Sequence, residues 1–146
     1  MATATRTSAV PTGPDRCHTS QLSAAEGAGQ RQTGTSVSTW SLTNTSSHAC
    51  TLYGFVGMAL QDQRGHDLPT MVVRGALAGN NAQPARLVLA PKQTAHWTVT
   101  FHGNTGGSCP PATSVAVTPP DELDPVTVKQ PLLDCDYALY ISALYQ

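Results

Sequence analysis

Four widely spaced cysteines constrain this chain more than any other feature: Cys17, Cys50, Cys109 and Cys135. Their number is even, no two form a CxxC pair, and they bracket stretches dense in Ser, Thr and Val. Zinc and redox sites need close-set thiolates, so this spacing points to disulfides formed in an oxidising compartment. Four cysteines allow three connectivities. Sequential pairing, Cys17–Cys50 and Cys109–Cys135, is the expected one, closing loops of 33 and 26 residue steps. On the chain-entropy account each such bond stabilises by about 3.5–4 kcal/mol. The cysteines thus speak to compartment and scaffold and leave activity open.

Composition narrows the partners. A chain of 146 residues has room for one domain with a genuine core. Only 12% of its residues are charged, against about 25% in an average soluble domain, so hydroxyls and amides carry its solubility. The net charge is −1 and the only lysines are Lys92 and Lys129. No basic stripe exists to neutralise phosphates, which argues against nucleic acid and against an anionic membrane surface. No run of 18 apolar residues is present, so no transmembrane segment is expected. The first residues lack the apolar stretch of a secretory signal. With the cysteine pattern, this leads us to expect a secreted or extracytoplasmic surface-attached protein whose signal peptide has been removed.

Residues 1–16, rich in Ala, Thr, Ser, Pro and Gly, read as a disordered leader or tether. Residues 17–146 then read as one domain built from strand-length segments. Thr35–Thr43 is rich in β-formers and ends at the Asn44–Ser47 turn. Cys50–Tyr53 follows, then Met58–Leu60, the hairpin signal Asp62–Gly65, a partner strand over Leu68–Val73, and a loop from Gly75 to Pro84. Thr94–His102 alternates most clearly, with Trp97, Val99 and Phe101 on one face and His96, Thr98, Thr100 and His102 expected to face solvent. Val115–Val117 and Val126–Val128 flank Pro119-Pro120, and Tyr137 to Tyr145 alternates as a last strand. The expected fold is therefore all-β, an immunoglobulin-like antiparallel β-sandwich of about seven to nine strands with two disulfides. Trp40 precedes Cys50, so the tryptophan pin of true immunoglobulin domains is not expected.

Several motifs together carry a family likeness. Asn44-Thr45-Ser46 precedes Cys50-Thr51-Leu52-Tyr53-Gly54-Phe55-Val56-Gly57-Met58, and the Asp62…Gly65 turn, Leu89-Ala90-Pro91, Cys109, Pro119-Pro120 and Cys135 follow in order. On these residues the chain resembles an actinobacterial family of exported proteins and lipoproteins, the domain-of-unknown-function family numbered four-two-three-two. The likeness runs from about Cys17 to Tyr145. It implies an envelope-associated or secreted β-sandwich, often behind a lipid anchor or flexible linker, and it implies no activity. Val56 departs from the pattern, standing where relatives commonly carry proline, so no rigid turn is implied there.

The residues themselves offer little chemistry. No GxSxG, SxxK or HExxH motif occurs, and the cysteines are spoken for as disulfides. No cofactor, metal or catalytic residue is expected. The His102–Ser108 loop superficially resembles an oxyanion or phosphate loop but has no lysine and no following helix. His96 and His102 stand six residues apart on one strand, roughly 20 Å, too far to share an ion. Met58, His66 and Met71 suit copper only if a hairpin gathers them. Asp121-Glu122-Leu123-Asp124 suits calcium only if it is more than an exposed acidic turn. Tyr53 and Phe55, flanking Gly54, are the candidate binding residues: aromatics beside a broken strand form a sugar- or protein-binding platform, or else plug the core. The leading expectation is a non-catalytic interaction module whose partner is an envelope protein or glycan, with oligomeric state unassigned. The alternatives are a small secreted hydrolase using the His102–Ser108 loop, and an inhibitor or small-molecule carrier.

Overall fold

The computed structural model describes residues 15–32, 34–103, 112–132, 134 and 136–146. They form an all-β protein with strands β1 (Leu22–Gln32), β2 (Thr35–Asn44), β3 (Cys50–Tyr53), β4 (Gly57–Gln61), β5 (Met71–Arg74), β6 (Arg86–Leu89), β7 (Thr94–His102), β8 (Ser114–Thr118), β9 (Val126–Val128) and β10 (Ala138–Ile141). Three sheets result: five strands in the order β1-β2-β7-β10-β5, the pair β3-β6, and the triplet β4-β8-β9. Among the described residues no helix is long and apolar enough to cross a membrane. The Cys17–Cys50 disulfide is formed, with both cysteines buried. The expected Cys109–Cys135 bond lies outside the described residues, as does the leader over 1–14.

Two expectations about the strands need correction. Ten strands are present among the described residues where seven to nine were expected, and the architecture is not wholly antiparallel, because β5 runs parallel to β10. The hairpin ladder gives way at Thr70. The Asp62–Gly65 turn closes as expected, with the Asp62 carboxylate accepting the Arg64 and His66 N–H groups. The returning chain then meets β4 through the Gln61–Asp67 bridge and the Leu68 N–H to Leu60 carbonyl bond (2.7 Å). The Leu68 carbonyl is taken by the Thr70 hydroxyl (2.9 Å) and so does not accept the Leu60 N–H. The Thr70 hydroxyl accepts the Leu60 N–H instead (2.9 Å), and the chain crosses to the five-stranded sheet. Leu68–Val73 is thus not the hairpin partner of Met58–Leu60.

The core lies among all three sheets. In β2, the inward positions Ser38, Trp40, Leu42 and Asn44 are buried at every second residue, as half-buried strand periodicity demands. Trp40 stands directly opposite Trp97 of β7, ring centroids 5.9 Å apart. Leu52 and Leu89 from the pair, and Leu60, Val115 and Val117 from the triplet, complete the same cluster with Leu139 and Ile141. The Trp40 indole N–H donates to the Ser38 hydroxyl at 3.0 Å. The Trp97 indole N–H is buried with no acceptor among the described residues. Buried Asn44 is fully used at the end of β2: its amide donates to the His48 and Leu89 carbonyls, and its carbonyl accepts from Ser46.

The middle of the second face of β7 is also covered, contrary to expectation, while His102 at its end is exposed as expected. Thr98 and Thr100 are almost completely buried, because the segment from Gly75 to Pro84 lies across them. The Leu77 N–H donates to the Thr100 hydroxyl (2.9 Å), which in turn donates to the Tyr140 carbonyl (2.8 Å). Gly79 makes this approach at φ +79, where an added Cβ would press against Val37 and Thr98 at 3.2 and 3.3 Å. The last strand is shorter than expected. It covers Ala138–Ile141, Tyr137 adopts φ +58 before it, and Tyr145 rejoins the sheet only as a bridge to His96.

Candidate functional site

The two aromatic candidates have different surroundings. Tyr53 ends β3 opposite Arg86 and is 59% exposed. Gly54 follows at φ +96, a conformation costly for any residue with a Cβ, and its carbonyl accepts the Leu144 N–H at 2.9 Å. This reversal sends Phe55 partly into the protein, against the core cluster. The guanidinium of Arg74, at the end of β5, sits 4.7 Å from the Phe55 ring centroid. That is the distance of a cation–π contact, and it holds a flexible cationic side chain in place.

Phe55 and Arg74 line one wall of a cleft of about 380 Å³, the size range of small-ligand sites. Gly57 and Val72 contribute beside them, and the turn joining β8 to β9 supplies Thr118, Pro119, Pro120, Asp121 and Glu122. Tyr53 does not line it. The Glu122 carboxylate is already engaged: it accepts from the Arg16 Nε (3.0 Å) and the Thr19 N–H (2.9 Å), and contacts His18 Nδ1 at 3.0 Å. The Thr19 hydroxyl also donates to the Asp124 carbonyl. This clamp fastens the Pro119–Asp124 turn to the chain beside the disulfide. The cleft therefore offers an aromatic ring, prolines and valine as apolar surface, with Arg74 and Asp121 as opposite charges that form no salt bridge among the described residues.

The other candidates are dispersed. Met58 is buried in β4, Met71 is exposed on β5, and His66 lies in the turn beside Asp62. Among the described residues no three His, Cys, Asp or Glu side chains are grouped to hold a metal ion. A second recess of about 370 Å³ beside the disulfide is lined by Asp15, Arg16, His18 and His48, but Arg16 and His18 are committed to Glu122. His102 meets Asp136, Nδ1 to Oδ2 3.1 Å, with Tyr140 edge-on at 5.7 Å. Ser108, the serine of the hydrolase alternative, lies outside the described residues.

An acid pair missed in the sequence adjoins His102. Burial first, and the neighbouring Asp136 carboxyl second, push buried Asp134 up to about 7. Its Oδ2 has no partner among the described residues. For Asp136, burial acts upward but is outweighed by hydrogen bonds from Asp134, the Ala138 N–H and His102, which hold it below the usual carboxylate range. Glu122 is displaced oppositely from Asp134: chiefly the Thr19 N–H, then His18 and Arg16, hold it down to about 2.

These two displacements act on stability in opposite directions as pH changes. Glu122 binds its proton less readily folded than unfolded, so its contribution is present above about pH 4.5 and is lost as pH falls toward 2. Asp134 binds its proton more readily folded, so its contribution is present below about pH 4 and is lost as pH rises through 7. Melting temperature is expected to peak at mildly acidic pH, and Asp134→Asn to flatten the alkaline limb while leaving the acid limb in place. A scan from pH 3 to 9 by circular dichroism checks this, and an alkaline limb unchanged by Asp134→Asn contradicts it.

Comparison with known proteins gives one finding. A family model described as "Domain of unknown function (DUF4232)" matches residues 17–141. No curated protein and no solved structure matches the chain.

Proposed function

The chain belongs to the DUF4232 family of domains of unknown function, and from that premise we propose that it is a non-catalytic, extracytoplasmic interaction module. Its binding site is the Phe55–Arg74 cleft, and its partner is a protein or glycan of the cell envelope that presents a carboxylate. The five-stranded sheet forms one layer of a β-sandwich, and the β3-β6 pair and β4-β8-β9 triplet form the other. The single observation carrying this reading is the guanidinium held over the Phe55 ring beside proline walls. A pre-positioned cation on apolar surface favours an anionic group attached to an apolar body, and little ordering entropy is left to lose on binding. The Cys17–Cys50 bond supports the compartment, since structural disulfides persist in oxidising environments.

Phe55→Ala and Arg74→Glu separate site from scaffold. Phe55 is only partly buried, so its truncation is expected to cost about 1–2 kcal/mol, and Arg74→Glu less than about 1 kcal/mol. The wild-type protein should enrich one partner from envelope extract that neither variant retains, at unchanged fold by circular dichroism. Recovery of the same partner by both variants would falsify the site.

The hydrolase reading has one observation in its favour: the His102–Asp136 contact resembles a base and its orienting acid. Labelling by a fluorophosphonate, abolished in Ser108→Ala and in His102→Gln, is the result that would replace the module reading.

A further inference from the structure

The outer edge of β5 runs along the same cleft. The parallel ladder to β10 uses alternate residues, as parallel pairing requires: the Met71 N–H donates to the Tyr137 carbonyl (2.9 Å) and the Gly75 N–H to the Ile141 carbonyl (2.7 Å). This alternation turns the N–H and C=O groups of Val72 and Arg74 away from β10. No backbone hydrogen bond among the described residues uses them. β5 is the terminal strand of its sheet. The two residues with outward peptide groups are the two whose side chains line the cleft.

We infer that the module's partner is an extended peptide segment that adds to the edge of β5 as a sixth strand. This rests on the cleft being the binding site. An incoming strand would pair with the outward groups of Val72 and Arg74, the recognition mode in which main-chain bonds supply affinity and alternate side chains supply specificity. Residues directly opposite on paired strands share a face. The partner residue opposite Arg74 therefore meets the guanidinium, and the one opposite Val72, two positions away, meets valine and the proline wall. Charge complementarity makes the first Asp or Glu, and the apolar wall makes the second Val, Ile or Leu. Asp121, in the cleft lining, disfavours a second acid in the segment. The segment recognised is an acidic and an aliphatic residue two apart in an extended stretch.

The test uses the disulfide-intact full chain and short blocked fluorescent peptides carrying valine and glutamate two positions apart, read by anisotropy. Saturable binding is expected, weakened about tenfold or more by Arg74→Glu and by glutamate to glutamine in the peptide. Arg74→Glu with a lysine-substituted peptide should regain part of it. N-methylation of the peptide amides that face β5 should abolish binding, and N-methylation of the alternate amides should not. In the protein, Val72→Pro removes the outward N–H together with a side chain that lines the cleft, so it is read beside Val72→Ala, which shortens the side chain but keeps the N–H and should lose less binding.

Binding that depends on Arg74 but is indifferent to N-methylation overturns strand addition and leaves the cleft reading intact. Binding indifferent to both Arg74 and Phe55 overturns the cleft as well. If the peptide stays free while the protein dimerises through β5, seen as a concentration-dependent mass lost in Val72→Pro, a second copy is the occupant and the peptide inference fails. Preference for a peptide whose only carboxylate is its C-terminus replaces the internal acid.

Discussion

Replacing Cys17 and Cys50 together by alanine is expected to destabilise the protein by about 3.5–4 kcal/mol, from the 33-residue loop that the bond closes. That is a large part of the 5–15 kcal/mol typical of a whole small domain. The effect acts mainly on the unfolded chain. In the folded state Cys17 is also held by its N–H to the Thr51 carbonyl (2.8 Å), and the Thr51 N–H bonds the Asp15 carbonyl (2.9 Å). The double variant should therefore keep its spectrum while its urea midpoint falls sharply. Loss should extend to the Glu122 clamp, since Arg16, His18 and Thr19 all hang from the segment that the disulfide anchors. A midpoint within error of wild type, measured with thiols confirmed absent by mass, contradicts this.

Truncating Trp40 to alanine is expected to cost about 3–5 kcal/mol, the range for a large aromatic lost from a packed core. It removes a fully buried ring, its contact with Trp97 and its bond to Ser38. The milder substitutions to phenylalanine discriminate further. Trp40→Phe loses a satisfied N–H and leaves the Ser38 hydroxyl short of a donor. Trp97→Phe loses a donor that already has no acceptor among the described residues. Both leave similar voids, so Trp97→Phe should be the less damaging by about 1 kcal/mol. Equal losses in a chevron or equilibrium urea series would mean that the Trp97 indole N–H is satisfied after all.

The residues differ in how far they announced their place. Thr94–His102 is legible because a strand buried on one face alternates apolar and polar side chains, and Trp97, Val99 and Phe101 do so. The burial of Thr98 and Thr100 was not, since it depends on the Gly75–Pro84 segment folding back over them. β1 escaped notice for a local reason. Its core is Ala24-Ala25-Glu26-Gly27-Ala28-Gly29, weak β-formers without alternation, paired with β2 on either side of a bulge between Glu26 and Gly29. Glycine there has a purpose that only the structure reveals: a Cβ on Gly27 would stand 2.6 Å from the Thr39 carbonyl oxygen. The hairpin expected over Leu68–Val73 fails where the Thr70 hydroxyl stands between the Leu60 N–H and the Leu68 carbonyl, a role that no sequence pattern marks.

The candidate site was half visible. Phe55 stood out because aromatics beside a positive-φ glycine mark a broken strand. Arg74 did not, because a single exposed arginine carries no pattern, and its partner ring lies 19 residues earlier in the chain. The two meet only because β5 joins β10 in parallel, putting Arg74 in register with Ile141. Asp134 was hidden for the same reason. Its neighbour Asp136 is plain in the sequence, but the burial that displaces its titration most is not.

Titrating the isotope-labelled protein with the valine–glutamate peptide and following its amide spectrum tests the cleft most directly. Shifts concentrated at Phe55, Gly57, Val72 and Arg74 and at Thr118 and Asp121 on either side of the proline pair, absent in Arg74→Glu, are the predicted result. A saturating peptide that moves the signals of His102, Asp136 and their neighbours, and leaves those of Phe55 and Arg74 in place, would contradict it.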